Sequence, residues 1–168
     1  RVILMSSSLA SAVEKGKGSG TAYGRSKRAA EELVSAAQER GEIESVVLRP
    51  VNVYGAGMKG NIASMIALIG KGRLPPLPKT GTQISLVGVD DLVQAVILIV
   101  NAHEAAGKTY NVTDGISYSI AAIEESIYRA WGRKIPVWQT PRVILYVAAV
   151  VMGWLSRLNG LTRLRRRA

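Results

Sequence analysis

Tyr23 and Lys27 stand four residues apart, and three consecutive serines, Ser6, Ser7 and Ser8, precede them. On a helix, residues at i and i+4 share a face, so this spacing sets an ammonium beside a phenol. A neighbouring positive charge favours phenolate and draws a tyrosine down from its ordinary pKa of about 10. A serine hydroxyl at the same place would hydrogen-bond the substrate oxygen whose proton the tyrosine exchanges. Together these groups make a general acid/base site for interconverting an alcohol and a carbonyl. Six tyrosines and eight lysines in 168 residues produce on the order of 0.3 such spacings by chance. The plainer reading of the pair is an exposed helix contact worth roughly a few tenths of a kcal/mol. The surroundings decide between the two.

The elements that must position these groups follow from periodicity. Val2–Met5 is continuously apolar, as in a strand buried on both faces, and it runs into the serines. Ser11–Thr21, with three glycines and two lysines, reads as a mobile loop. Ala22–Arg40 carries Ala29, Ala30, Leu33, Val34 and Ala37 at helical spacing, and Gly41 follows as a terminator. Ser45–Arg49 is the next buried strand, stopped by Pro50. Strand, helix and apolar strand in that order form a βαβ unit of a parallel sheet. Ligands gather at the carboxyl ends of such strands, so the serines and the Pro50–Gly55 stretch should meet in one crevice.

Beyond it, Asn61–Lys71 has helical spacing and Leu74–Pro78 must be a loop. Ile84–Val89 reads as a strand, with Asp90 or Asp91 capping a helix to Asn101. Lys108–Thr113 reads as a strand, and Ser117 or Ser119 opens a helix to Trp131, closed by Gly132. His103 reads as exposed and idle. Val143–Leu155 is thirteen residues without charge, and the chain ends in a basic tail, Arg163–Arg167. A membrane span needs about 20 apolar residues, so a helix packed on the domain is expected. A helix lying on a membrane surface with a basic tail is the alternative.

The bulk numbers narrow the classes. A hydrophobic fraction of 48% fits a folded domain. The absence of cysteine rules out disulfides, cysteine–zinc sites and thiol catalysis, and no metal site is expected. A net charge of +10 raises nucleic acid as a partner, but the basic residues cluster at the two ends with no interleaved aromatics to stack bases. No nucleic-acid partner is expected. The chain opens at Arg1 directly in an apolar strand, which reads as the C-terminal portion of a longer protein.

Taken together, Leu4–Ser8, Tyr23-Gly24-Arg25-Ser26-Lys27 with Ala30-Glu31, Leu48-Arg49-Pro50-Val51-Asn52-Val53-Tyr54-Gly55, Val89-Asp90-Asp91-Leu92 and Thr109-Tyr110-Asn111-Val112 carry a resemblance. The chain resembles the extended short-chain dehydrogenase/reductase family, the NAD-dependent epimerase/dehydratases, from Arg1 to about Ile135. The resemblance implies an α/β fold: the C-terminal part of a Rossmann-like parallel sheet plus a small substrate-binding region, truncated at the N-terminus. Residues 1–60 would complete the dinucleotide-binding domain, 61–140 would form the substrate region with returning sheet and helix elements, and 141–168 the apolar helix and basic tail. The resemblance also implies roles. Tyr23 would move the hydroxyl proton, and Lys27 would support it and bind the nicotinamide ribose. Ser8, rather than Ser7, would orient the substrate oxygen. Ser6 and the backbone of Pro50 and Val51 would face the cofactor, NAD or NADP, and Asn52 the substrate. Plainer readings stand beside these: serines that end a strand, Arg49-Pro50 as a strand stop, Asn52 as a turn residue.

The departures shape the expectation. The resemblance implies a Gly-rich dinucleotide loop in an earlier βαβ unit of the family, and no Gly-x-x-Gly-x-x-Gly follows a strand in these residues. The chain alone is therefore expected to bind dinucleotide poorly and to be inactive. The Ser8–Tyr23 stretch is short for a nucleotide-sugar enzyme, and no arginine precedes Val89-Asp90-Asp91 to grip a diphosphate, Lys79 being a doubtful replacement. A nucleotide sugar is the expected substrate. The alternative is a sterol-like lipid, because the apolar C-terminal helix resembles the 3β-hydroxysteroid dehydrogenase branch. Two further readings are a non-catalytic cofactor-binding relative and a membrane-surface protein organised by residues 143–167. The expected location is cytoplasmic, with peripheral membrane contact through 141–168 and a homodimer both compatible with it.

Overall fold

A computed structural model of the protein describes residues 1–16, 20–141 and 143–144. In chain order the elements are β1 (Val2–Met5), α1 (Ser8–Glu14), α2 (Ala22–Glu39), β2 (Ser45–Pro50), β3 (Asn52–Tyr54) and α3 (Asn61–Gly70). There follow β4 (Gln83–Gly88), α4 (Val89–Asn101), a 3-10 turn at His103–Ala105, β5 (Thr109–Val112), β6 (Ser117–Ser119) and α5 (Ile120–Ala130). The described residues form two compact units: Arg1–Ile62 with Gln83–Tyr118, and Ala63–Thr82 with those from Ser119 onward.

The first unit holds a parallel sheet in the order β1-β2-β5. Val2 pairs with Ser45 and Met5 with Leu48, while Val47 pairs with Thr109 and Pro50 with Val112. Strand β2 lies between two neighbours and is buried along its whole length, with Val46 and Leu48 fully inaccessible. Strand β1 departs from the expectation of burial on both faces: Val2 and Met5 are each more than a third exposed. Among the described residues β1 has a partner on one side only, so its ends lack the cover that β2 has. A second sheet, β3-β4-β6, sets Asn52 opposite Leu86 in a parallel pair. Strand β3 was not anticipated, because three residues carry too little pattern to read.

The expected mobile loop at Ser11–Thr21 begins instead as helix. The Ser7 hydroxyl accepts the Leu9 N–H as an N-cap, and Ala10 is completely buried. That cap and buried alanine stabilise the short α1, which has no strong periodicity of its own. Helix α2 starts where Thr21 accepts the Gly24 N–H at 2.9 Å, and ends near Gly41, whose φ of 72° is left-handed. A Cβ added at Gly24 would lie 3.0 Å from the Leu9 carbonyl oxygen, so the first turns of α1 and α2 meet at this glycine. Helix α4 also departs from expectation. Gly88 is its N-cap, without a side-chain cap bond, and Asp90 and Asp91 occupy the first turn. There their charges complement the positive end of the helix.

In the second unit Ile69, Ile123, Ile127 and Tyr128 are buried. Ser119 caps α5 by accepting the Ala122 N–H at 3.1 Å. Arg133 donates to the carbonyls of Ile69 and Gly70 at the end of α3, at 3.0 and 2.7 Å. Glu124 is buried and accepts the Leu77 N–H at 3.0 Å. The expected apolar helix and basic tail over 143–167 lie outside the described residues, apart from Val143 and Ile144, which are exposed. Among the described residues no helix is long and apolar enough to cross a membrane.

Candidate active site

Tyr23 is the second residue of α2, with its ring about half exposed. One turn on, the Lys27 ammonium lies 5.7 Å from the centre of that ring and donates to the carbonyl of Met5 at 2.8 Å. Met5 closes β1, so Lys27 ties the opening of α2 to the carboxyl end of a parallel strand. Ser8 is the first residue of α1 and is partly exposed. Its neighbour Leu9 approaches Gly24, the neighbour of Tyr23, which brings the opening turns of the two helices together. The local cause is capping: Ser7 starts α1 and Thr21 starts α2, so both helices present their first turns here.

The other expected residues fall in different surroundings. The Ser6 N–H extends the ladder to the Leu48 carbonyl at 2.7 Å, while its buried hydroxyl donates to Glu31. Pro50 is the last, buried residue of β2, next to β5. The Val51 N–H is taken by the Val112 carbonyl at 3.2 Å. Asn52 is exposed, and its amide donates to the Ser85 carbonyl at 3.2 Å, across to β4. The structure thus joins Tyr23, Lys27 and the end of β1, while Asn52 lies in the other sheet with its amide bonded to Ser85 on β4.

Sequence reading passed over a second group of residues. Glu31 is 4% and Arg49 7% exposed, and they form a two-pronged ion pair with Nε–Oε1 at 2.8 Å and Nη2–Oε2 at 2.7 Å. Arg49 Nη1 also donates to Ser11 Oγ at 3.0 Å and to Glu14 at 2.8 Å, while Arg28 reaches Glu31 at 3.4 Å. Burial pushes the Glu31 carboxyl up, but hydrogen bonds from Arg49 and Ser6 and the charge of Arg49 outweigh it and hold Glu31 below the usual carboxylate range. The hydrogen bond to Glu31 raises Arg49 above the ordinary arginine value against the opposing effect of burial, with Glu14 adding to it. The signal was available: an arginine inside an otherwise apolar, buried strand must find a carboxylate.

A parallel α/β sheet with a Tyr–Lys turn at the carboxyl end of a strand is Rossmann-like in class. The chain belongs to the NAD dependent epimerase/dehydratase family, which it matches over residues 6–113. A UDP-glucose 4-epimerase of Vibrio cholerae is 35% identical over 122 residues, covering 71% of this chain and 36% of that protein. The short-chain dehydrogenase/reductase family 42E member 1 of Bos taurus is 31% identical over 142 residues, covering 76% of this chain and 36% of that protein. The crystal structure of Thermus thermophilus UDP-glucose 4-epimerase in complex with NAD superposes with a TM-score of 0.58 at 27% identity, over 71% of this chain and 41% of that one. The chain spans about a third of the length of the curated relatives it matches.

Proposed function

We propose that this chain carries the acid/base part of an NAD-dependent enzyme that oxidises and re-reduces a hydroxyl of a nucleotide sugar, as a 4-epimerase does. The observation that carries the reading is the Lys27 ammonium, held between the Met5 carbonyl and the Tyr23 ring. Tyr23 takes the proton from the sugar hydroxyl through its exposed phenol oxygen and returns it to the carbonyl oxygen in the reverse step. Tyr23 is phenolate when it takes that proton, and Lys27 stabilises the negative charge its oxygen bears until the proton arrives. Ser8 donates or accepts a hydrogen bond at the same sugar oxygen and fixes its direction. NAD, when bound, supplies the reversible hydride transfer.

The residues present fit one end of that cofactor. An ammonium has three N–H donors, and one goes to Met5, leaving the others for the hydroxyls of the nicotinamide ribose. The glycine-rich loop Gly55–Gly60 follows β3, but no Gly-x-x-Gly-x-x-Gly spacing occurs in these 168 residues, so the reading assigns the cofactor's diphosphate to residues outside this chain. The nucleotide-sugar class rests on the relatives named UDP-glucose 4-epimerase. The uncharged apolar stretch 143–155, in which the sequence resembles the 3β-hydroxysteroid dehydrogenase branch, supports a lipid alcohol as the second reading.

The test is Tyr23→Phe in the complete enzyme, assayed with UDP-glucose and with a sterol. Loss of turnover by about 10²-fold or more, with NAD binding and folding retained, is the expected result. Full activity in that variant would overturn the assignment. Turnover of the sterol alone would replace the sugar with the lipid.

A further inference from the structure

We infer that Glu31 and Arg49 are positioning residues, a buried clamp that holds the Tyr23–Lys27 turn in register with the strand end it works on. The inference rests on the reading of Tyr23 and Lys27 as the acid/base pair. Tyr23, Lys27 and Glu31 succeed one another at four-residue steps on α2, so they form one stripe along the helix. Two members of that stripe grip consecutive residues of one strand end: Lys27 holds the Met5 carbonyl and Glu31 accepts the Ser6 hydroxyl. Through both carboxylate oxygens Glu31 also holds Arg49, the next-to-last residue of β2. Arg49 in turn reaches Ser11 and Glu14 on α1, whose first residue is Ser8. One guanidinium–carboxylate pair thereby joins the three elements that bear Ser8, Tyr23 with Lys27, and Pro50, together with Ser6 just past the end of β1.

Stability alone does not account for the pair. Well-packed apolar side chains of similar volume do as well as a buried ion pair, or better. What the two-pronged contact adds is direction, since a planar fork meets a carboxylate in one geometry. A helix held only by apolar contacts can slide or roll by fractions of an ångström, and acid/base catalysis is sensitive to such displacements. The clamp removes that freedom at the level of Ser6, one residue beyond the carbonyl that Lys27 uses.

Two measurements test the clamp, in Glu31→Gln, in the milder Arg49→Lys, and in Glu42→Gln at an exposed ion pair as control. The first is the rate at which Lys27 is acetylated by a small activated ester in this chain, read by mass spectrometry against Lys59 and Lys134 in the same molecules. Releasing Lys27 from Met5 should raise its rate roughly five-fold, the scale of one hydrogen bond, with both reference lysines and the control variant unchanged. The second is steady-state turnover of UDP-glucose by the complete enzyme with NAD. There kcat should fall about ten-fold or more while KM stays within about two-fold, the signature of lost alignment rather than lost binding. If Glu31→Gln fails to fold, Arg49→Lys, which keeps the charge and loses the fork, decides the matter. Wild-type labelling of Lys27 in folded variants overturns the clamp. So does wild-type turnover in those variants while Tyr23→Phe is inactive, an outcome that leaves the acid/base reading standing. An active Tyr23→Phe enzyme sinks that reading instead, and the Lys27 labelling still decides the clamp.

Discussion

Lys27 makes two contacts of different kinds, a hydrogen bond to Met5 and a charge–ring contact with Tyr23. The first is partly accessible to water, and such bonds contribute about 1 kcal/mol net. The second matters only if the phenol oxygen becomes negative during turnover. Lys27→Met separates the two. It should cost at most about 1 kcal/mol in urea denaturation, yet lower kcat by about 10²-fold in the complete enzyme. A variant that loses stability and keeps its kcat would make Lys27 a structural lysine. Arg49 differs in weighing on stability as well as on turnover. Its removal, as in Arg49→Met, leaves the Glu31 carboxylate buried without its main partner, a loss of about 3–5 kcal/mol.

The meeting of α1 and α2 depends on a missing side chain. Gly24 is buried, and a methyl there would press on the Leu9 carbonyl oxygen at 3.0 Å and on Thr21 Oγ1 at 3.2 Å. Backbone cannot turn aside as a side-chain tip can, so the two helices must part or tilt. Gly24→Ala should therefore destabilise the protein by about 1–3 kcal/mol, despite the better helix propensity of alanine. Gly81, with open space where its Cβ would be, provides the comparison. Gly81→Ala should stay within about 0.5 kcal/mol of wild type. Both are read from denaturant midpoints at constant slope. Equal effects at the two sites would show that the helices do not close on Gly24.

The two units carry carboxylates of opposite pH response, buried Glu31 and exposed Glu14 in the first and buried Glu124 in the second. Glu31 and Glu14 in the first unit are held low by Arg49, so their stabilisation is present above the unfolded carboxylate value of about 4.3 and is lost as pH falls through their folded values. Glu124 in the second unit is raised by burial, with only the Leu77 N–H opposing. Its charged form is penalised in the fold, so that penalty is absent below about pH 4.3 and grows as pH rises through its folded value. Amide exchange, corrected for its intrinsic pH dependence, should show α5 better protected at pH 5 than at pH 7. Below about pH 4 protection of α2 and β2 should fall. Glu124→Gln keeps an acceptor for Leu77 and should reproduce the α5 gain at pH 7. No pH effect on α5, or no gain in that variant, would contradict the assignment.

Much of this was local and therefore readable from the chain alone. The spacing of Tyr23 and Lys27 sets them on one face of α2, since helical periodicity links near neighbours without help from the rest of the molecule. The apolar run at Val46–Leu48 likewise marks a buried strand, and Gly41 and Gly132 mark helix ends. Tertiary contacts decided the remainder. Helix α1 is seven residues long, too short to persist by itself, and exists because its first turn docks at Gly24. The exposure of β1 depends on having β2 on one side only among the described residues, which no local pattern encodes. Asn52 turns its amide to Ser85, thirty-three positions away. The Ser6–Glu31–Arg49 links join residues twenty-five and eighteen positions apart. A sequence shows that a buried charge must be paired; only the folded chain shows which carboxylate is within reach.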